Sequence, residues 1–206
     1  MKIIWLGHAC FAVESGGYRL ILDPYTMDTY PPLHTFGNEV LCSHGHADHS
    51  YVQAVELKTG GSSPFAVETV ATFHDEKGGA LRGNNRMHIL RAEGLTVVHC
   101  GDLGHDPTEE QLAAISGADA MLIPVGGYYT IDAAAAKRVV DAAKPRVVVP
   151  MHYRHEPYGL RPVGTLERFT DLFDNVRYLE GNSFTLTADA PSGVIVPKYV
   201  VNAQNE

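Results

Sequence analysis

The segment His-Gly-His-Ala-Asp-His at residues 44–49 constrains what this chain can fold into more than any other part of it. Side chains two positions apart on an extended backbone point the same way, so His44 and His46 are placed to bind one cation together. Asp48 and His49 follow at the next bend, where they can face a second cation. Imidazole and carboxylate suit Zn²⁺ foremost, with Mn²⁺ and iron as competitors. The alternative interpretation is a solvated histidine-rich loop that binds metal adventitiously.

Three further ligand candidates each come directly after a predicted strand: His74, Asp102 and His152. Taken singly, each is equally well explained as a residue that caps a turn. Together, and in this order after the first motif, they indicate a site for two metal ions at the carboxyl ends of buried strands, where layered α/β folds place their sites.

The hydrophobic pattern predicts strands early in the chain and strand–helix units later. Predicted strands cover residues 2–6, 10–14, 18–22, 39–42, 65–73, 87–91, 95–100, 120–125 and 146–150, with more strands between 176 and 201. Predicted helices cover residues 48–57, a segment from the capping box at 108–111 to about 116, residues 132–143 with Thr130 as cap, and 165–173. This order favours a single α/β domain over residues 1–206, with two sheets and helices outside them.

Composition excludes some classes of partner. The chain has 24 acidic against 16 basic residues and a formal charge of −8, which argues against general affinity for nucleic acid or anionic membranes. Neither a signal-peptide layout nor an apolar run long enough to span a bilayer is present, so we expect a cytoplasmic protein. The three cysteines lie in apolar contexts without a C-x-x-C pair, and we expect buried free thiols.

In its His-x-His-x-Asp-His motif, later single His, Gly-Asp pair and final His after a strand, the chain resembles the metallo-β-lactamase superfamily. The similarity runs from residues 6–8 through His152. It is closer to one branch, the small cytoplasmic metal-dependent hydrolases near the ascorbate-6-phosphate lactonase group, which have segments like residues 101–105, 124–127 and 150–153. The resemblance implies a four-layer αβ/βα sandwich. It also implies a ligand set, with Asp102 bridging two metals: His44, His46 and His74 on the first, and Asp48, His49 and His152 on the second.

This ligand set predicts hydrolysis of an ester, lactone or phosphoester of a small metabolite. A carboxylate such as Asp102 can span two cations ~3.5–4 Å apart, and two metals make a bridging hydroxide available near neutral pH. Two divalent ions against Asp48, Asp102 and that hydroxide leave a net charge of about +1, which favours an anionic substrate and transition state. Asp48 and Asp102 are therefore both ligands and catalytic candidates.

Other residues are candidates for supporting roles. His105 and His155 each lie three residues beyond a predicted ligand and are either proton donors to the leaving group or surface histidines. The loop 78–86 is either a substrate-closing flap, whose Arg82 or Arg86 meets an anionic group, or a solvated turn. We expect Tyr128 and Arg154 to form walls of the substrate pocket, and Asp23 to brace the motif by hydrogen bonds. His8 either approaches the site or stays structural.

Three other functions remain as alternatives: a phosphodiesterase or nuclease of the same fold, a di-iron redox protein, and a non-catalytic metal-binding protein. Di-iron relatives usually carry Glu where this chain has His46, and they carry a flavin domain for which this chain has no spare length. The apolar segment 194–201 predicts either closure of a sheet edge or a subunit interface in a homo-oligomer.

Overall fold

The computed structural model describes residues 1–201. In its first strand, Lys2–Gly7, successive side chains pack into two different hydrophobic cores. Ile3 and Trp5 pack into a large core that the two main sheets share, whereas Ile4 and Leu6 pack into a smaller core on the opposite face. Because successive side chains of a strand point to opposite faces of its sheet, this first sheet is covered on both faces.

The structure contains fourteen strands and four helices within the described residues. The strands are β1 Lys2–Gly7, β2 Cys10–Ser15, β3 Tyr18–Leu22, β4 Thr35–Gly37, β5 Glu39–Leu41, β6 Val55–Leu57, β7 Ala66–Phe73, β8 Asn84–Ala92, β9 Leu95–His99, β10 Ala120–Pro124, β11 Val147–Met151, β12 Val176–Tyr178, β13 Ser183–Thr185 and β14 Gly193–Val196. The helices are α1 Ala47–Ser50, α2 Glu109–Ile115, α3 Ala133–Ala143 and α4 Glu167–Thr170.

The two main sheets have five and seven strands. The first has the order β13-β1-β2-β3-β5 and the second β12-β14-β11-β10-β9-β8-β7, while β4 and β6 form a separate pair. Strands β9, β10 and β11 are parallel neighbours joined through α2 and α3. Right-handed crossovers in one direction place both helices on one face of the sheet. The other face packs on the first sheet, so the architecture is the expected αβ/βα sandwich.

The predicted helix over residues 48–57 is wrong. Helix α1 ends at Ser50, a 3-10 turn covers Val52–Ala54, and the chain then enters β6, which pairs with β4. Val55 is buried in the smaller core, and the β-branched valines of this segment favour extended structure over helix. The outer layer on the first sheet is thus built mostly from loops, a short helix and the β4–β6 pair.

The capping box of α2 is confirmed: Thr108 Oγ1 accepts from Gln111 N at 3.2 Å, and Gln111 Oε1 accepts from Thr108 N at 2.9 Å. The cap predicted for α3 is wrong. Asp132 Oδ1 accepts from Ala135 N at 2.8 Å, whereas the Thr130 hydroxyl donates to the Ile131 carbonyl. A carboxylate also suits the helix N-terminus better than a neutral hydroxyl, because it complements the positive end of the helix dipole. The helix predicted over 165–173 is reduced to the single turn α4.

The apolar segment near the C-terminus does not close a sheet edge as predicted. Strand β14 lies between β11 and β12, so the edge strand is β12. Val194, Ile195 and Val196 are buried in the main core, and the subunit interface, the other predicted role of segment 194–201, stays a prediction.

All three cysteines are free thiols, as expected, although Cys42 is only half-buried. Among residues 1–201, no helix is long and apolar enough to cross a membrane.

Candidate metal centre

Six candidate residues follow strands that run in one direction within their sheets. In the first sheet, β1 and β3 are both antiparallel to β2, and β5 is parallel to β3. In the second sheet, β7 and β9 are both antiparallel to β8. Strand β10 is parallel to both β9 and β11, so β11 runs in the same direction as β9. The carboxyl ends of these strands therefore lie at one edge of each sheet, and they deliver His8, Asp23, His44, His74, Asp102 and His152.

His44, His46 and His74 form a first set of donors, which we call the open half. One ring nitrogen of each lies within 4.8 Å of the others, and His44 Nε2 is 3.1 Å from His46 Nδ1. His74 Nδ1 donates to the Tyr129 carbonyl at 3.1 Å and His44 Nδ1 to Ser43 Oγ at 2.9 Å. Their Nε2 lone pairs are thereby left facing the set. Bare nitrogens converging in this way fit a shared cation.

Asp48, His49 and His152 form a second set, which we call the closed half, with donor atoms again within 4.8 Å of one another. Asp102 lies between the two sets: its Oδ2 is 3.2 Å from both His49 Nε2 and His152 Nε2, and 3.1 Å from His74 Nε2. Its Oδ1 is buried and has no hydrogen-bond partner within residues 1–201. A buried carboxylate with an unsatisfied oxygen, surrounded by imidazoles, fits a metal bridge.

Asp23 braces the motif, in agreement with its expected role. Its Oδ1 accepts from the Ser43 backbone at 2.7 Å, and its Oδ2 accepts from Ser43 Oγ at 2.6 Å and from His49 Nδ1 at 2.8 Å. Because Ser43 Oγ donates its proton to Asp23, it must accept from His44. One fully buried carboxylate therefore orients an imidazole in each half.

Charges within the cluster oppose the effect of burial. Burial alone raises the pKa of Asp102, but the charges of His152 and His49 hold it well below its usual range. Burial likewise opposes charge on His49, yet Asp102 and Asp23 on either side raise its pKa well above 6.5. His44 behaves differently, since burial lowers its pKa to about 3. A metal that binds His49 must therefore displace a proton, whereas His44 is already neutral.

Two glycines let neighbouring backbone approach the ligands. A Cβ at Gly104 would lie 2.2 Å from the His74 carbonyl carbon, and one at Gly126 would lie 2.2 Å from the His152 carbonyl oxygen. Only a residue without a Cβ permits such approach. The glycines at these two positions, in segments 101–105 and 124–127 noted in the sequence, are therefore explained by packing against the backbone of the candidate ligands His74 and His152.

A cavity of about 380 Å³ borders the open half. It is lined by His46, Asp48, His74, Leu81, Arg82, Tyr129 and Leu160. Arg82 Nη2 donates to the Tyr128 carbonyl at 3.0 Å, and the guanidinium lies 5.7 Å from the centre of the Tyr129 ring. These contacts hold the positive charge of Arg82 at the cavity wall beside the candidate metal ligands.

The loop that carries Arg82 is organised by Asp75, the residue after the candidate ligand His74. Asp75 Oδ1 accepts from the backbone of Lys77 and Gly79, and its Oδ2 accepts from the backbone of Leu81 and Arg82, at 2.7–3.0 Å. These bonds lower the pKa of the Asp75 carboxyl, with burial opposing them. The loop is thus tied to the end of β7, and its hydrogen bonds do not depend on substrate.

His105 and His155 form their hydrogen bonds with groups other than the candidate ligands. His105 Nε2 accepts from the Phe73 backbone at 3.1 Å, and its Nδ1 donates to the Asp106 carbonyl at 2.8 Å, so backbone groups occupy both nitrogens. His155 Nε2 bonds the Tyr30 hydroxyl at 3.1 Å within an aromatic cluster. Their roles as proton donors stay predictions that this geometry does not favour.

The remaining substrate-binding candidates are dispersed. Arg86 is exposed and lines an adjoining groove with His44 and His46, so it borders the open half from outside. Tyr128 is 65% exposed and reaches the site through its carbonyl rather than its ring. Arg154 pairs with Glu156 and lines a separate cavity with Tyr30 and Tyr158. Of the four candidates, Arg82 alone lines the cavity beside the ligands among the residues described.

His8 and Asp75 are the residues that sequence reasoning left open or missed. His8 does approach the site, with its Nε2 3.5 Å from Asp48 Oδ2. Its position at the end of β1, like that of the ligands at other strand ends, was the available signal. For Asp75, the sequence showed only that it follows His74. Nothing in the sequence indicated that its carboxylate would accept hydrogen bonds from four backbone amides.

Comparison with known proteins agrees with this geometry. A family model described as a beta-lactamase superfamily domain matches residues 2–152. A UPF0173 metal-dependent hydrolase of Thermoplasma acidophilum is 28% identical over 188 residues, covering 74% of this chain and 83% of the relative. Its counterpart in Carboxydothermus hydrogenoformans is 28% identical over 205 residues, covering 81% and 91%. The crystal structure of a proposed Zn-dependent hydrolase of the metallo-β-lactamase superfamily from Thermotoga maritima is 32% identical, covers 97% of this chain and 99% of that one, and has a TM-score of 0.76.

Proposed function

This chain belongs to the metallo-β-lactamase superfamily as one of its metal-dependent hydrolases, and from that premise we propose that it uses two divalent metal ions to hydrolyse an ester, lactone or phosphoester of a small anionic metabolite. The observation that carries this proposal is the position of Asp102 Oδ2, within 3.1–3.2 Å of imidazoles from both halves of the site. An oxygen placed in this way supports a two-ion centre rather than two independent sites.

The donor set determines which residues would hold the ions. His44, His46 and His74 would hold the first and Asp48, His49 and His152 the second, with Asp102 shared. Imidazole-rich donors favour Zn²⁺ in the open half, with Mn²⁺ or iron as competitors. When bound, two such ions polarise the scissile group and lower the pKa of water toward neutrality.

The protein's own residues would position water and substrate. Asp48 lines the cavity, and although burial raises the pKa of its carboxyl, the neighbouring imidazoles of His8 and His49 hold it below its usual range. It is therefore ionised at neutral pH and accepts a hydrogen bond that orients an incoming water. Asp23 keeps the imidazoles of His44 and His49 turned toward the centre, so the reacting groups need not reorganise.

The cavity supports a small anionic substrate. Its volume of about 380 Å³ suits a metabolite. Leu81 and Leu160 form apolar walls, and Arg82 supplies a positive charge beside the candidate ligands. A guanidinium fixed by a carbonyl and an aromatic ring is prepared to bind carboxylate or phosphate without further ordering. The formal charge of −8 also supports a small substrate rather than nucleic acid.

The test is pH-stat hydrolysis of a panel containing sugar lactones, phosphodiesters, phosphomonoesters, thioesters and a β-lactam. Protein loaded with Zn²⁺ or Mn²⁺ is compared with Asp102→Asn, and Asp106→Asn, an exposed carboxylate paired with Arg138, is the matched control. We expect a metal-dependent rate on one class that Asp102→Asn abolishes and Asp106→Asn retains. Equal rates in wild type and Asp102→Asn on every member would overturn the proposal.

The role of Arg82 has a separate test on whichever substrate the panel identifies. Arg82→Gln should raise KM about 10- to 100-fold for an anionic substrate, the cost of a lost hydrogen bond to a charged group. It should leave a neutral analogue of the same class unaffected. Arg91→Gln, at a surface arginine paired with Glu68, is the control. An equal effect of Arg82→Gln on charged and neutral substrates would contradict recognition of an anion.

A further inference from the structure

His8 lies in the closed half although the ligand motif does not include it. The residue follows β1 and is 2% exposed. Its Nε2 is buried, 3.5 Å from Asp48 Oδ2, and makes no hydrogen bond of good geometry to any residue in the described part of the chain. Its ring centre is 4.3 Å from that of His152 and 5.1 Å from that of His49. A basic nitrogen is thus directed at a carboxylate and two imidazoles.

The backbone of His8 is held in a conformation that most residues avoid. Its φ is 50°, in the left-handed region, which is strained for a residue with a Cβ. Two contacts fix its carbonyl: Trp5 Nε1 donates to it at 3.0 Å, and the His152 backbone N–H donates at 3.4 Å. His152 itself has a φ of 54°. The two sheets therefore hold two histidines with left-handed backbones next to each other, and both rings lie in the closed half.

The donor atoms of His8, Asp48, His49 and His152 all lie within 4.8 Å of one another. Two donors on one first-row cation are separated by roughly 3–3.5 Å when adjacent and up to about 4.2 Å when opposite, for bond lengths near 2.1 Å. The 3.5 Å between His8 Nε2 and Asp48 Oδ2 is the separation of adjacent ligands. With Asp102 Oδ2, the closed half presents three nitrogens and two oxygens.

We propose that His8 is a fifth protein ligand of the metal in the closed half. Four protein donors suit the tetrahedral coordination that Zn²⁺ prefers, whereas five leave room for a five- or six-coordinate ion. The closed half would then select Mn²⁺, Fe²⁺ or Co²⁺ more strongly than the open half does. This inference rests on the proposed two-metal function, but its test reads metal binding and not turnover, so the two can fail separately.

The experiment titrates Co²⁺ into metal-free protein and follows the visible d–d absorption, which is weak for five- and six-coordinate cobalt and strong for tetrahedral cobalt. The variant is His8→Gly, because glycine adopts the left-handed backbone of residue 8 without strain. His34→Gly, at an exposed histidine in a loop, is the control. We expect wild type to bind two ions, the more highly coordinated one in the closed half giving weak bands.

In His8→Gly, we expect the affinity for the closed-half ion to fall by at least the roughly 10- to 100-fold that the loss of an outer-shell partner costs. Its bands should strengthen as the coordination number drops, and added imidazole should restore the wild-type spectrum by filling the space the ring has left. The open-half ion should be unaffected. His8→Asn, which tolerates the same backbone, is the second variant for the case in which the glycine variant does not fold.

Two results would overturn the proposal. If both ions bind His8→Gly with wild-type affinity and spectrum, His8 has no role in the centre. If affinity falls while the bands of the closed-half ion keep their shape and intensity, His8 only positions Asp48 and is not a ligand.

Discussion

The two halves of the metal centre hold similar side chains in different ways. In the open half, His46 is exposed, His74 is anchored by one carbonyl, and the donors border a cavity. In the closed half, His49 and His152 are fully enclosed, and His49 lies between the carboxylates of Asp23 and Asp102. Among the candidate ligands, histidine is therefore a surface residue at position 46, although His44 and His74 beside it are buried, and a buried member of an ion network at position 49.

This difference separates the contribution of a ligand to metal binding from its contribution to folding. A ligand at the surface leaves nothing unpaired when it is removed, because water replaces it. A ligand that neutralises buried carboxylates leaves charge behind when it is removed. The open half is therefore suited to exchange substrate and solvent, while the closed half is tied to the stability of the fold.

The largest expected effect compares His49→Ala with His46→Ala in the metal-free protein. His49→Ala should lower the free energy of unfolding by about 3–5 kcal/mol, because it leaves Asp23 and Asp102 buried without their shared partner. His46→Ala should change it by no more than about 0.5 kcal/mol, as at other exposed positions. Urea denaturation in the presence of a chelator measures both. Equal destabilisation by the two variants would remove the distinction between the halves.

A smaller effect is expected at the glycine that supports the closed half. In Gly126→Ala the new methyl group would lie 2.2 Å from both the His152 carbonyl and a Val163 methyl group. Overpacking of this kind costs about 1–3 kcal/mol. Gly181→Ala, where nothing lies within 4 Å of the added Cβ, is the matched control. Thermal unfolding measures stability, and metal content after dialysis reports whether His152 has moved. An unchanged melting temperature for Gly126→Ala would mean that the backbone there yields freely.

The smallest effect concerns His88, a buried imidazole outside both halves. Burial lowers its pKa below 6.5, with His99 adding to the shift, so the folded state binds the proton less well than the unfolded state. Stability is therefore unaffected above about pH 6.5 and declines as the pH falls below it. His88→Leu should match wild type at pH 8 within about 1 kcal/mol and lose less stability by pH 5.

Urea midpoints at the two pH values, measured with chelator, test this expectation. Comparing His88 with His49 tests whether neighbouring carboxylates distinguish the closed half. His49 lies beside two carboxylates, Asp23 and Asp102, and its pKa is raised. An identical pH dependence in His88→Leu would assign the acid sensitivity to other groups.

Local sequence predicted the parts of this molecule that depend on near neighbours. The capping box at Thr108 and the strands that precede the ligands follow from residue spacing alone. Prediction failed at β6 because a distant segment competes there: Thr35 pairs with Val55. It failed at the start of α3 for a local reason, since Thr130 and Asp132 are both suitable cap residues and it is Asp132 whose side chain bonds the helix backbone. His105 and Arg154 were plausible from adjacency to ligands, but adjacency does not determine which way a side chain turns.

The sequence by itself determined which donors exist and that each stands at the end of a strand, because residue type and periodicity are local properties. It also determined the superfamily, through the spacing of those donors along the chain. Tertiary structure alone decided that Asp102 reaches imidazoles of both halves, that Asp75 ties down the loop carrying Arg82, and that His8 faces Asp48. These relations join residues from different strands and sheets, and distances of that kind are set by packing in the folded chain.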